Sequence, residues 1–361
     1  MSLTLPDNLV LPSRSRAQAC LLDLQTQWRN SSLQLVERIN HPDRCLARDY
    51  VARVERPRPQ DYAAYHDLLV GMSLKRDASE AAATSLLARA SLLTSDRAVS
   101  SLPRLTNFSR GFYSDEALGI MSRWLGIEDA GHVRLGGIPG PRYMAQSALV
   151  RRALRCLACY APEVHDEITQ VVSEIVLLTF EPSGDKRSTW RSACSFAVWG
   201  AVFLDPAHNT DELDYLLSIV EEAARLALFA ASLRQPLVMV PTVAVDEPDR
   251  RQQDTRLEAV DARVHAAYAA TRSAYVLQRL QDASGTCTNA FPRTAPSRRG
   301  WIAMPWSAER LELAHSKAVA RYWAHHVALR RSRWLSVTGR ELMYQTCVFM
   351  ADAYGWPTAA S

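Results

Sequence analysis

Apolar residues recur three and four apart over long stretches of this chain, the signature of helices that bury one face. The first stretch runs from about Arg16 to Ile39 and carries Leu21, Leu24, Trp28, Leu33 and Val36. The same spacing predicts helices from Pro59 to Leu74 and from Ser79 to Leu93, the latter opening on Ser79-Glu80, a capping pattern. After the Pro- and Gly-rich passage Gly136 to Pro141, read as a turn-rich connector and a soft boundary, come helices over Tyr143 to Cys159 and Pro162 to Thr179. Pro162 suits a first helical turn, where its missing N–H costs nothing.

The β-branched and aromatic run Ser195 to Leu204, closed by Asp205-Pro206, reads as a short strand, and Leu237 to Val240 as a second. Between them a long helix is predicted from Thr210 to Ser232, with Thr210 as N-cap and its buried stripe at Leu213, Leu217, Val220, Ala224 and Leu228. A helix over Thr255 to Leu280, a Ser-, Gly- and Pro-rich loop over Ser284 to Pro305, and helices near Ala308 to Trp334 and Thr338 to Tyr354 complete the reading. The pattern predicts a mainly α, multi-helix globular fold with a few short strands around a central long helix. Residues 1–135 form an N-terminal helical region, 136–283 a core and 284–361 a C-terminal helical region, together one compact unit.

Composition narrows the function classes. With 361 residues, 48% apolar and 22% charged, the chain can bury a sizeable core. The net charge of +4 is small and the basic residues are interleaved with acids, so nucleic acid is not an expected partner. The densest basic words, Arg298-Arg299-Gly300 and Arg330-Arg331-Ser332-Arg333, are short. The longest apolar run, Ile175 to Phe180, cannot span a bilayer, and the start lacks a signal-peptide pattern, so a reducing cytoplasm is expected. High Ala and Arg usage fits a GC-rich bacterial genome.

Candidate chemistry is sparse. Cys156 and Cys159 form a CxxC pair inside a helical pattern, with no second pair at zinc-site spacing, and read as packing thiols. His315, His325 and His326 share one aromatic-rich helix and read as surface or packing histidines. Glu163, His165, Asp166 and Glu167 form an acidic first turn. His208 with Asp205 and Asp211 reads as a polar turn at a strand end. No GxSxG, Gly-rich phosphate loop or GxGxxG is present, which leaves hydrolase, kinase and dinucleotide enzymes without support.

Five words set the chain in a family context: Leu102 to Arg110, Tyr160-Ala161-Pro162-Glu163-Val164-His165, Phe203-Leu204-Asp205-Pro206, Val220 to Leu226 and Val264-His265. In this order and spacing, from about Leu102 to Leu280, the chain resembles the HExxH-motif peptide-modification family. Some members are 2-oxoglutarate-dependent β-hydroxylases of ribosomally made peptides. The resemblance makes 136–283 an HExxH-like core and sets the metal word at Glu221 to Arg225. The family would place His at 221, Glu at 222 and His at 225, two histidines on one helix face gripping one metal. Here Glu222 alone keeps the family residue. Glu221 can ligate a hard cation through oxygen, but Arg225 has no lone pair to give, so the two-His, one-carboxylate arrangement for iron is broken. His265 resembles the downstream ligand. The Arg- and Pro-containing word that precedes it in the family is replaced by Asp246 to Arg251.

Glu221 and Arg225, four apart with the acid N-terminal, are spaced for a helical ion pair, either filling a former metal cavity or solvated on a surface. The resemblance implies a tailoring protein of peptide natural-product biosynthesis without a metal. Glu222, Arg225 and His265 would be its catalytic candidates, and Glu221 and Arg225 its substrate-binding ones. A peptide, a small biosynthetic intermediate or a partner enzyme would sit between the Thr210 to Ser232 and Thr255 to Leu280 helices. Two alternatives stay open: a non-catalytic peptide- or partner-binding protein, and an enzyme that keeps iron and 2-oxoglutarate.

Overall fold

A computed structural model describes residues 9–93, 102–125, 133–182, 190–240, 250–286 and 304–356. The fold is mainly helical with a few short strands. The chain forms two compact units that interleave along the sequence. The sheet-bearing unit comprises Ser15–Arg152 and Ile168–Leu226, and the helical unit the described residues of Met1–Arg14, Ala153–Glu167 and Ala227–Ser361.

The sheet-bearing unit opens with helices α1 (Arg14–Val36), α2 (Arg44–Arg53), α3 (Pro59–Leu74) and α4 (Asp77–Leu93). Strand β1 (Arg104–Asn107), helix α5 (Asp115–Leu125) and strand β2 (Val133–Gly136) follow, then α6 (Gly140–Tyr160) and α7 (Pro162–Val171), each shared between the units. Four strands close the sequence of sheet elements: β3 (Glu174–Leu177), β4 (Thr179–Pro182), β5 (Ser192–Ala193) and β6 (Ala201–Leu204), after which α8 (Glu212–Ala231) begins. Strands β1, β3 and β6 pair in parallel, with Asn107, Leu177 and Leu204 level at their carboxyl ends. Strand β5 pairs antiparallel to β6, and β2 pairs with β4 as a separate ribbon.

Strand β3 corrects the sequence reading, which ran a helix on to Thr179. Helix α7 stops at Val171, and Ser173 N–H turns to the Gly200 carbonyl at 2.8 Å. Ile175, Val176 and Leu177 are inaccessible, as are Ala201 to Leu204. A parallel strand covered on both faces shows a continuous apolar run and no alternation, which is why it reads as helix. The expected Ser195 to Leu204 strand is likewise shorter. Ser195 caps a single 3₁₀ turn over Phe196–Val198, Gly200 takes φ +90, and the strand proper starts at Ala201.

The connector near residue 136 lies inside the sheet-bearing unit and is fastened to β1. The Asn107 side-chain amide donates to the Ile138 carbonyl at 2.8 Å and accepts from Ile138 N–H at 2.9 Å. A Cβ on Gly137 would lie 2.8 Å from the Phe108 carbonyl, so glycine is what permits this approach. Helices α2 and α5 and strands β1, β2 and β4 are further elements that the apolar pattern did not reveal. In α2 only Ala47, Tyr50 and Val51 are buried, too few to make a visible stripe.

In the helical unit α9 (Arg250–Thr286) is 37 residues long and packs along α10 (Ala308–Leu329), with α11 (Val337–Tyr354) against both. Alanines at 267, 269, 270 and 274 are buried among Val264, Tyr268, Val276, Leu277 and Leu280. Helix α10 ends at Leu329 and not at Trp334. The expected Leu237 to Val240 strand is a single antiparallel bridge between Val238 and Leu335. A Cβ on Gly339 would meet the Leu237 carbonyl at 2.1 Å, so that contact also requires glycine. Within this unit Arg272 Nη2 donates to Glu167 Oε1 at 3.1 Å, to the Tyr268 hydroxyl at 2.9 Å and to the Leu9 carbonyl at 3.2 Å. Among the described residues no helix is long and apolar enough to cross a membrane. The Ser284 to Pro305 loop lies mostly outside the described residues, and so do Asp246 to Asp249.

Glu174 yields a test of the sheet-bearing unit. Its carboxylate accepts from the Tyr113 hydroxyl at 2.6 Å, which lies 2.7 Å from Thr106 Oγ1, and Arg104 Nη1 stands 3.8 Å away. Burial raises its pKa above the ordinary glutamate value, against the opposing pull of Tyr113, Arg104 and Arg58. A folded pKa above the unfolded one contributes stability below the unfolded value, about 4.3, which is lost as pH rises through the raised value. Glu174→Gln therefore gains stability relative to wild type as pH rises from about 4 to 7. Urea denaturation across that range measures it, and a pH-independent difference between the two proteins would refute it.

Candidate functional site

The sequence-derived site centres on α8, whose capping differs from expectation. Asp211, not Thr210, is the cap: its Oδ1 accepts from Leu213 N–H at 2.9 Å and Asp214 N–H at 3.1 Å. Thr210 Oγ1 instead donates to Asp214 Oδ2 at 2.9 Å. An aspartate at this position satisfies orphan donors and favours the positive end of the helix dipole. Leu213, Tyr215, Leu216, Ile219, Val220, Ala223, Ala224 and Leu226 are buried. The remaining face, Asp211, Asp214, Ser218, Glu222 and Arg225, repeats at helical spacing and is polar.

Residues leading into and forming β5 lie along that polar face. Arg191 Nε donates to Asn209 Oδ1 at 3.1 Å, and its Nη2 donates to the Asp214 carbonyl. Ser218 Oγ donates to the same Asn209 oxygen at 2.8 Å. Next along the strand, Ser192 Oγ donates to Glu222 Oε1 at 2.7 Å. Arg225 Nη1 donates to both Glu222 oxygens, at 3.0 and 3.1 Å. The expected Glu221–Arg225 pair is thus replaced by Glu222–Arg225, three apart. Glu222 is the main cause of a raised Arg225 pKa, against the opposing effect of burial, and Glu221 adds a neighbouring negative charge. Glu222 is 1% exposed and Arg225 32%, so the pair is neither a solvated surface pair nor fully enclosed.

Ser192 and Arg191 are neighbours of the candidate residues that sequence reasoning missed. Their contacts join residues 23 and 30 positions apart and follow from strand pairing, not from any local motif. His265 belongs to the other unit. It is buried there against the Phe229 ring, centroids 4.4 Å apart, with Nε2 3.7 Å from Asp261 Oδ2.

At the segment Glu221 to Arg225 the Glu222 carboxylate is already taken up by protein donors. A guanidinium and a serine hydroxyl occupy the Glu222 carboxylate, and a fixed positive charge beside it repels a metal ion. Among the described residues no group of three His, Cys, Asp or Glu side chains is placed to hold one. The arrangement suits anion binding instead. Among the described residues Arg225 Nε and Nη2 make no hydrogen bond, and these donors match a planar carboxylate.

The other singled-out groups pack locally. His315 meets the Tyr354 ring at 4.8 Å, and burial lowers its pKa. His326 lies against Tyr322 and Trp323, with its pKa lowered by burial and by Arg330. Cys156 and Cys159 are unbridged thiols in α6. Glu163 receives the Tyr275 hydroxyl at 2.7 Å, and His165 Nδ1 lies 3.6 Å from Asp166 Oδ1. His208 Nδ1 lies 3.4 Å from Asp205 Oδ2, so that pair of the expected cluster forms while Asp211 serves the helix cap.

A scan against models of known protein families finds no match, and a comparison with curated proteins finds none either.

Coupling within the site is measurable. Glu222→Gln, Arg225→Gln and the double variant should show a coupling energy of about 1–2 kcal/mol in urea denaturation, above the few tenths of an exposed pair. A coupling indistinguishable from zero would place the pair among solvated surface contacts.

Proposed function

We propose that this chain is a tailoring protein of peptide natural-product biosynthesis, related to HExxH-type peptide β-hydroxylases, that works without a metal in a bacterial cytoplasm. Its Arg225 engages a carboxylate or developing negative charge on a peptide or small biosynthetic intermediate. The observation that supports this reading is the state of that guanidinium. One nitrogen, Nη1, is committed to Glu222, while Nε and Nη2 make no bond among the described residues in a partly exposed setting. A cation oriented in this way before substrate arrives needs little reorganisation on binding.

One observation favours a binding protein over an enzyme on the same scaffold. Both oxygens of Glu222 are engaged, one by Ser192 and both by Arg225, so the carboxylate is poorly disposed to move protons. On the enzyme reading Glu222 assists Arg225; on the binding reading Glu222 only orients it.

Two measurements test the proposal. Isothermal titration with peptides encoded beside the gene should show binding that Arg225→Ala weakens at least tenfold, since a desolvated charge-assisted contact is worth roughly 1.5–3 kcal/mol. Wild-type affinity in a folded Arg225→Ala variant would sink it. Elemental analysis of protein purified without chelators should find iron and zinc well below one per chain. About one tightly held transition metal per chain would instead overturn the metal-free reading and favour the iron and 2-oxoglutarate alternative.

A further inference from the structure

In the helical unit, one side of α10 is apolar and open. Leu311, Ala318, Tyr322 and Leu329 form the buried side of this helix. On the opposite side Leu313, Lys317, Ala320, Ala324 and Val327 are exposed and follow one another at alternating intervals of four and three. That alternation is the spacing of a coiled-coil seam, a straight stripe that a second helix can cover. From Leu313 to Val327 the stripe is roughly 21 Å long. Its end residues, Leu313 and Val327, are 56% and 52% exposed. The alanines between them let a second helix axis come close. Single exposed apolar side chains are ordinary, but a stripe of this length needs an occupant.

Charge identifies the occupant. Glu309 and Glu312 stand at the start of α10, and Arg330 and Arg331 directly after its last residue; all four are exposed. Arg330 keeps helical backbone angles. Glu312 and Arg330 are eighteen residues, about five whole turns, apart and so lie on the same flank of the stripe. A copy of α10 laid antiparallel about a two-fold axis presents that flank to its own equivalent with the direction reversed. Glu312 then faces Arg330 of the second copy, and Arg330 faces Glu312 of the second copy, so an opposite-charge pair closes each end. Leu313 faces Val327 of the second copy, and Ala320, seven residues from each, lies at the axis. A parallel copy would instead bring acids level with acids and bases level with bases. Trp356, 68% exposed, lies against the Trp323 ring with centroids 5.4 Å apart. Trp323 is eleven residues from Glu312 and so on the same flank, which sets a large aromatic anchor beside the seam. Lys317, a single charged residue within the seam, lowers the affinity and narrows the register.

We infer that this side of α10 is a self-association surface, covered by a second copy of the chain in antiparallel register, with Leu313 against Val327, Ala320 at the axis and Glu312–Arg330 pairs at the ends. The inference does not rest on the role proposed for Arg225.

Sedimentation velocity on the full chain, from about 1 to 100 µM, should show a reversible monomer–dimer equilibrium. Leu313→Glu should leave the chain monomeric over that range with the helical circular dichroism of wild type. Ala324→Arg, which charges the stripe without removing a large side chain, should do the same. Glu312→Arg and Arg330→Glu should each weaken the dimer about fivefold or more, and the double reversal should return it to within about twofold of wild type. A monomer at every concentration would overturn the inference and leave the stripe to a different partner. A dimer unchanged by both stripe variants would overturn it too, as would a double reversal no tighter than the single ones.

Discussion

A carboxylate taken out of water must be met by donors, because an unpaired buried charge costs more than a small fold can supply. This chain is organised around carboxylates met in that way. Asp61 is inaccessible and takes the Tyr50 hydroxyl and the Arg58 N–H, each at 2.7 Å, with the Arg58 guanidinium at 3.3 Å. The carbonyl of the same residue takes Trp28 Nε1 at 3.3 Å. One residue of α3 thereby fixes α1, α2 and the connection at Arg58. Glu174 does the same for β3 against Tyr113 and Arg104, and Glu222 for α8 against β5. In the helical unit Glu167 gathers Arg272 and Ser13 N–H. Such networks specify an arrangement because a shifted register would leave each acid unmatched.

How much of this could be read from the sequence depends on the range of the interaction. Helices such as α3 and α11 declare themselves through apolar residues three and four apart, and Pro59 to Leu74 is found at the expected bounds. Strand β3 does not, because Ile175 to Leu177 are covered on both faces and carry no period. The ion pair is subtler. On an isolated helix Arg225 can reach back three residues or four with similar ease. The choice of Glu222 follows its burial and its bond from Ser192, a residue thirty positions away in the chain. No local spacing contains that fact.

The same limit explains His208. In sequence, Asp205-Pro206-Ala207-His208 is a polar turn after an apolar run, and turn chemistry accounts for it. Its meaning changes once Ala201–Leu204 is seen to run parallel to β3 and β1, since the turn then stands at the carboxyl edge of a sheet.

On the proposed descent from a metal-binding scaffold, exchanging ligands for an ion pair alters some properties and keeps others. A bound dication attracts carboxylates, polarises oxygen and can change redox state. A guanidinium retains only the first of these, because it has no vacant orbital and no accessible second protonation state near neutral pH. Held by Glu222 through one nitrogen, Arg225 keeps a directional positive charge at partial exposure while the pair together is neutral. Neutrality lowers the cost of burying the group, and the remaining N–H donors preserve a preference for planar anions. On that proposal recognition would outlast the metal chemistry, because a charge held in place needs no ligand exchange to attract a planar anion.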